Sequence, residues 1–151
     1  MAHTPRLYLD ACALNRLTDD PCQPRIAMEA AAMIHILRMV RTGRVNWIAS
    51  SVLKLELKRN PNALRRDYSL ELLRQAAEIR SVNQEVANRA RVLNSIGYGK
   101  FDAYHLALAE FAKTDILLTT DDRFVRQAHR GLGTPTVLLQ NPLDYLQEVK
   151  P

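Results

Sequence analysis

Cysteine is nearly missing from this chain: Cys12 and Cys22 are the only two in 151 residues. They lack the spacing of metal ligands, and no catalytic-looking base stands beside either. The four histidines show no zinc-site spacing. Long apolar runs are absent too; the longest of the N-terminal half, Ala30–Ile34, is far too short to cross a bilayer. Met1–Leu9 has no apolar segment of the kind that directs secretion. No Gly-x-Gly-x-x-Gly follows a strand-like stretch, which argues against a dinucleotide site. There is no internal repeat, no low-complexity tract and no internal boundary. The expectation is one domain, residues 1–151, in a reducing cytoplasm without membrane attachment; a disulfide stays open.

What is present is ordinary globular composition with a basic bias. Apolar residues make up 47% and charged ones 25%, and the net charge is +5. Such a surface attracts polyanions, nucleic acid above all.

Arg6-Leu-Tyr-Leu-Asp10 reads as a short buried strand ended by Asp10, followed by a brief helix, Ala11–Leu17. The turn-rich Thr18–Pro24 closes it. A carboxylate at the C-terminal end of a strand is where open α/β sheets place ligands, and equally where a helix takes an N-cap. Arg25–Thr42 is a long helix with Ile26, Ala30, Met33, Leu37 and Val40 at helical spacing, stopped by Gly43. Ile34, Ile36 and Met39 lie outside that stripe, as extra core contact or as a partner interface. Arg44–Ala49 is strand-like, and Ser50-Ser51 caps the helix Val52–Arg59. Within it Glu56 borders the apolar stripe, while Lys54 and Lys58 mark the wet face. A glutamate there needs a partner, either a salt bridge or a metal.

Leu64–Ala76 is a basic helical segment with Arg65, Arg66 and Arg74, Glu78–Val82 a strand, and Gln84–Ser95 a helix capped by Asn83. Arg89 and Arg91 lie off its apolar face. A loop bearing Gly97 and Gly99 leads into a helical run with Asp102 in its first turn and Ala103, Leu106, Ala107 and Ala109 to pack behind. The free N–H groups and dipole of a helix start stabilise a carboxylate, the simplest account of Asp102. Ile116–Leu118 is an unbroken apolar run, as in a strand buried on both faces, with Asp121-Asp122 and the helix Arg123–Arg130 after it. One of these two aspartates can cap while the other binds. Thr136–Leu139 reads as a last strand, and Asn141-Pro-Leu opens a short helix.

Strands alternate with helices, so the fold class is α/β: helices on both faces of a central, mostly parallel sheet, a three-layer α/β/α arrangement. Its C-terminal strand ends line up Asp10 with Asp121, and Glu56 and Asp102 are placed to reach them from the N-terminal halves of their helices. Four carboxylates in one cleft repel: at ~4 Å each pair costs several kcal/mol at an effective dielectric of about 20. Hard divalent cations, Mg²⁺ or Mn²⁺, relieve that, and two of them support phosphodiester hydrolysis.

Four windows carry a family resemblance: Leu7-Tyr-Leu-Asp-Ala-Cys-Ala-Leu14, Ser50-Ser-Val-Leu-Lys-Leu-Glu-Leu57, Phe101-Asp-Ala-Tyr-His-Leu-Ala-Leu-Ala109 and Leu117-Leu-Thr-Thr-Asp-Asp-Arg-Phe124. In order and spacing they resemble a PIN domain over nearly the whole chain. The resemblance implies a Mg²⁺- or Mn²⁺-dependent ribonuclease with Asp10, Glu56, Asp102 and Asp121 as metal ligands. It implies Asn15 and Thr120 as helpers that orient water or a ligand, and Asp122 as an assistant or substitute for Asp121. The length resembles VapC-type toxins of toxin–antitoxin pairs, which implies an RNA substrate, a homodimer and a small antitoxin in a hydrophobic groove suited to the Arg25–Thr42 helix. The basic insert Asn60–Asp67 and the long connection from Glu56 to Asp102 depart from that pattern.

Two other readings compete. One is a catalytically silent PIN-like scaffold that binds RNA or protein. The other is a phosphoacceptor receiver domain, disfavoured because the Asp-Asp pair is late and no aspartate ends a strand mid-chain.

Overall fold

The computed structural model describes residues 3–149. Five short strands form one sheet: β1 (Arg6–Leu9), β2 (Asn46–Ser50), β3 (Glu78–Arg80), β4 (Ile116–Leu118) and β5 (Leu138–Gln140). Their order is β3-β2-β1-β4-β5 and every pairing is parallel. Tyr8 stands opposite Ile48 on one side and Leu117 on the other, so β1 is central. The helices are α1 (Ala11–Asn15), α2 (Pro24–Arg41), α3 (Ser51–Lys58), α4 (Ala63–Leu72), α5 (Gln84–Ser95), α6 (Lys100–Phe111), α7 (Asp122–His129) and α8 (Pro142–Glu148).

Alternation along the strands divides the core in two. Leu7, Leu9, Trp47, Ala49 and Leu118 pack on one face with α1–α4 and α8. Tyr8, Leu117 and Leu139 pack on the other with α5, α6 and α7. This is the three-layer α/β/α fold, and the continuous apolar character of β1 and β4 follows from burial on both faces. No helix among the described residues is long and apolar enough to cross a membrane. Cys12 is half-buried, Cys22 is exposed, and both are free thiols.

Gly43 stops α2 as its position predicts. It takes φ +75°, and the Arg44 N–H reaches back to the Met39 carbonyl at 2.9 Å, a closure that favours glycine at this position. The turn delays β2 to Asn46 and lets it run to Ser50, two residues later at its start than the alternation suggested. α1 ends at Asn15 rather than Leu17, and the basic segment breaks after Leu72 into a single 3₁₀ turn, Leu73–Gln75. β5 begins at Leu138, since Thr134 (φ +48°) and Pro135 hold the chain in a turn. The buried face of α2 is rotated from the expected stripe: Glu29, Ala32, Met33, Ile36, Leu37 and Met39 face inward. Ile36 and Met39 are therefore core, while Met28 and Ile34 are exposed.

Candidate active site

The strand order reverses direction beside β1: β2 and β3 were laid down on one side, β4 and β5 on the other. The crevice outside the carboxyl ends of β1 and β4 is the switch point where such sheets bind ligands. Asp10 follows β1 there and Asp121 follows β4.

Both aspartates cap helices. Asp10 Oδ1 accepts the Ala13 N–H at 3.0 Å, and Asp121 Oδ1 accepts those of Arg123 and Phe124 at 3.0 and 3.2 Å. Capping uses one oxygen of each carboxylate, so the capping and ligand readings are compatible. Asp10 is only 1% exposed. Burial pushes its carboxyl up to about 6, against the pull of His105, the Thr119 hydroxyl and the Ala13 N–H, with Glu56 adding repulsion.

Asp102 sits in the first turn of α6, whose N-cap is Gly99. A helix start alone would hold a carboxyl down. Instead Asp102 is pushed up to about 7, by burial first, then by Asp10 and Asp121, with His105 opposing and Glu56 adding to the rise. The helix dipole is thus outweighed, and Asp102 lies in the field of all three other acids. Cys12, on α1, feels the same four charges and its thiol is driven up, mainly by burial. An open cleft of about 320 Å³ runs past Cys12, Asn15, Arg16, Asp19, Thr120 and Asp121. Clefts of about 410 and 480 Å³ lie elsewhere, among α5, α6, α7 and β5, and hold none of the four acids.

Glu56 differs from the expectation in one respect: it lies in the C-terminal half of α3, not near its start. It reaches across to α6, where its Oε1 stands 2.7 Å from His105 Nε2. A salt-bridge-type partner for Glu56 is therefore present.

Among the described residues, no three His, Cys, Asp and Glu side chains are grouped closely enough to hold a metal ion as they stand. The donor chemistry nevertheless fits a hard cation: the four groups are all carboxylates, and two are raised by burial and mutual repulsion. Uncompensated carboxylates hold apart, and a cation is what would draw them together. Asp10, Glu56, Asp102 and Asp121 are the residues that could hold Mg²⁺ or Mn²⁺.

The helpers divide. Asn15 lines the cleft with Thr120 and Asp121. Thr120 offers its carbonyl to Arg25 at 3.2 Å. Asp122 has both oxygens on Arg25, each at 2.7 Å. As placed, Asp122 is an ion-pair partner that braces the Asp121 loop rather than a ligand. That brace runs deeper, because Glu29, fully buried, accepts from Arg16 at 2.8 Å, Arg25 at 3.2 Å and Asn141 at 2.5 Å.

Four contributors were not foreseen. Thr119, rather than its neighbour, accepts the Asp121 N–H at 3.1 Å and lies against Asp10. His105, Tyr8 and Ser50 form a buried hydrogen-bonded chain behind Glu56. His105 was within reach of sequence reading, since it lies three residues after Asp102 on the same helix face. Two of the arginines lying off the apolar faces are internal braces: Arg89 clasps Glu110 at 2.9 and 3.2 Å, and Arg65 holds Asp19 and Thr18. Lys54, Lys58, Arg59 and Lys100, close in sequence to Glu56 or Asp102, are exposed, and Arg59 lies 5.5 Å over the Phe101 ring.

Comparison with known proteins agrees with this fold. Fourteen chains of solved structures match. One is the crystal structure of VapBC2 from Rickettsia felis bound to a DNA fragment from their promoter, with TM-score 0.61, 13% identity, and coverage of 90% of this chain and 98% of that one. At that identity the likeness is one of fold. No curated protein matches in sequence. The family model described as PIN domain matches residues 7–130. With a match over most of its length, the chain belongs to the PIN domain family.

Proposed function

We propose that this chain, as one domain over residues 1–151, is a Mg²⁺- or Mn²⁺-dependent endoribonuclease of the cytoplasm, acting as the toxin of a toxin–antitoxin pair. The observation that carries the reading is the switch point of the sheet, where Asp10 and Asp121 cap helices at neighbouring strand ends and Asp102 and Asp10 are pushed up to about 7 and 6, by burial first and then by the neighbouring carboxylates, which His105 only partly offsets. A site so frustrated is poised for cations. Divalent ions held there would supply charge neutralisation and an activated water for hydrolysis of an RNA phosphodiester. Asp10, Glu56, Asp102 and Asp121 would hold them. Asp10 and Asp121 are pre-set by their capping bonds, so little side-chain freedom is lost on binding. Asn15 and Thr120 border the space a substrate would enter. Lys54, Lys58, Arg59 and Lys100 would receive the RNA phosphates.

The toxin assignment draws on the resemblance of the four motif windows to VapC-type toxins and on the fold shared with VapBC2. It also draws on a groove of about 370 Å³ between α2 and α8, lined by Met28, Ala31, Leu143 and Leu146 among others. A small antitoxin would lie in it, and a second copy of the chain would complete a homodimer.

A silent scaffold that binds RNA or protein is the second reading. The Glu56–His105 contact favours it, because a carboxylate so paired needs no metal. Calorimetry with Mn²⁺ on the purified, partner-free chain separates the two. Binding that Asp102→Asn abolishes supports the nuclease; no binding leaves the scaffold.

A further inference from the structure

Glu56 stands at the far end of a buried chain of hydrogen bonds that starts in the sheet. The Leu53 N–H donates to Ser50 Oγ at 3.0 Å. Ser50 Oγ lies 2.7 Å from the Tyr8 hydroxyl, which lies 2.6 Å from His105 Nδ1. His105 Nε2 then meets Glu56 Oε1 at 2.7 Å. Ser50 and Tyr8 are fully buried and His105 is 1% exposed, so water does not share these contacts.

Counting protons gives the chain a direction. Ser50 Oγ accepts from Leu53, which leaves its own hydrogen to donate to the Tyr8 oxygen. Tyr8 then donates to Nδ1, which must be the unprotonated nitrogen. That makes Nδ1 the acceptor and puts a ring hydrogen on Nε2, aimed at Glu56. In the reverse direction Nδ1–H would donate to Tyr8, and Tyr8 to Ser50. The Ser50 hydrogen would then be left without an acceptor among the described residues.

The chain ties Glu56 to the strand that carries Asp10. Asp10 follows β1 directly, two residues after Tyr8 and with extended backbone, so the two share a face. Glu56 arrives from the second half of α3 with a flexible side chain, and only one of its oxygens is engaged. Oε2 makes no hydrogen bond among the described residues, and the side chain is 28% exposed.

Resting on the nuclease reading, we propose that His105, set by Tyr8 and Ser50, is a positioning residue that holds Glu56 Oε1 so that Oε2 is presented to the cation site. Partners behind a ligand often decide its affinity, typically by about 10–100-fold on removal. The competing role is a plain internal brace, which would affect stability alone.

Two measurements separate them. In the metal-free protein, the ¹⁵N spectrum of the His105 ring should show a protonated Nε2 and an unprotonated Nδ1, and Tyr8→Phe should shift the Nδ1 resonance by removing the donor to it while Glu56 keeps the hydrogen on Nε2. The opposite tautomer, or an Nδ1 resonance unmoved in Tyr8→Phe, overturns the relay. Calorimetry with Mn²⁺ alone then reads its purpose. His105→Ala and Tyr8→Phe should weaken binding by roughly tenfold or more. His105→Gln, which returns an N–H near the Nε2 position, should recover most of it. In a Glu56→Gln background His105→Ala should change nothing further. Wild-type affinity in His105→Ala, or an undiminished effect in the Glu56→Gln background, assigns His105 to bracing and refutes the proposal. If the wild type binds no Mn²⁺, the nuclease reading falls and the positioning role falls with it, while the ring spectrum still shows whether the chain of bonds exists.

Discussion

Removing one charge from the candidate site should make the metal-free protein more stable. Asp102 is the group to change, to Asn, which keeps its size. Its carboxyl rises from 3.8 to about 7 in the folded protein. A carboxyl raised on folding favours the folded state when protonated, so its contribution is best below pH 3.8 and is lost as pH climbs through about 7. Above that, the folded state carries the full penalty of an ionised Asp102. The rise is roughly three units, and at ~1.4 kcal/mol per unit the ceiling is about 4 kcal/mol. Part of that is recovered by Asp10 and Asp121 relaxing, and the amide must itself be buried. A gain of about 1–3 kcal/mol is expected at alkaline pH, or on the order of 5 °C in Tm for a chain of this length. Urea unfolding in EDTA, run from acid to alkaline pH, measures it. The advantage of Asp102→Asn should grow between the two values and level off above the upper one. A variant less stable than wild type throughout, or an advantage independent of pH, would refute the claim that these carboxylates strain one another.

Other perturbations probe the frame. Mn²⁺ should act the opposite way: at about 100 times its Kd it should stabilise the wild type by ~2.7 kcal/mol and leave Asp102→Asn unmoved, as read by thermal melts. Glu29→Gln should cost about 2–3 kcal/mol at neutral pH, below the usual figure for a broken buried pair because Arg16 and Arg25 are 22% and 49% exposed and rehydrate. Burial raises the Glu29 carboxyl, but hydrogen bonds from Asn141, Arg16 and Arg25 more than offset it and leave it below 4.5. The deficit of Glu29→Gln should therefore shrink as pH falls below that value, in chemical denaturation of both proteins. Gly133→Ala should destabilise by at least ~1 kcal/mol, because φ is +72° and a Cβ would meet Leu93 and Ile96 at 2.8 and 2.9 Å; an unchanged Tm would contradict this.

The parts of the fold that local pattern dictates were legible. β1 is an apolar run followed at once by Asp10, and β4 one followed after two threonines by Asp121, and a parallel sheet turns that pattern into two carboxylates at one edge. Gln84–Ser95 could be bounded to the residue because Asn83 caps it. Edges were less legible, since β3 and β5 are three residues each and end where pairing stops, not where propensity changes. The inward face of α2 was misjudged because nothing local marks Glu29 as a buried residue. It is buried by Arg16, Arg25 and Asn141, the last 112 positions away. The same limit hid the partner of Glu56, whose need was visible beside the apolar stripe but whose supplier, His105, lies 49 positions on. Asp122 looked interchangeable with Asp121 until Arg25, 97 positions before it, took both its oxygens.

The most direct test of the central claim is RNA cleavage. Wild type and Asp102→Asn, each free of any partner, are incubated with a mixed RNA substrate in Mg²⁺, Mn²⁺ or EDTA. Cleavage by the wild type that needs the metal and vanishes in the variant is the predicted result. Cleavage that persists in EDTA, or that Asp102→Asn retains undiminished, would contradict the account.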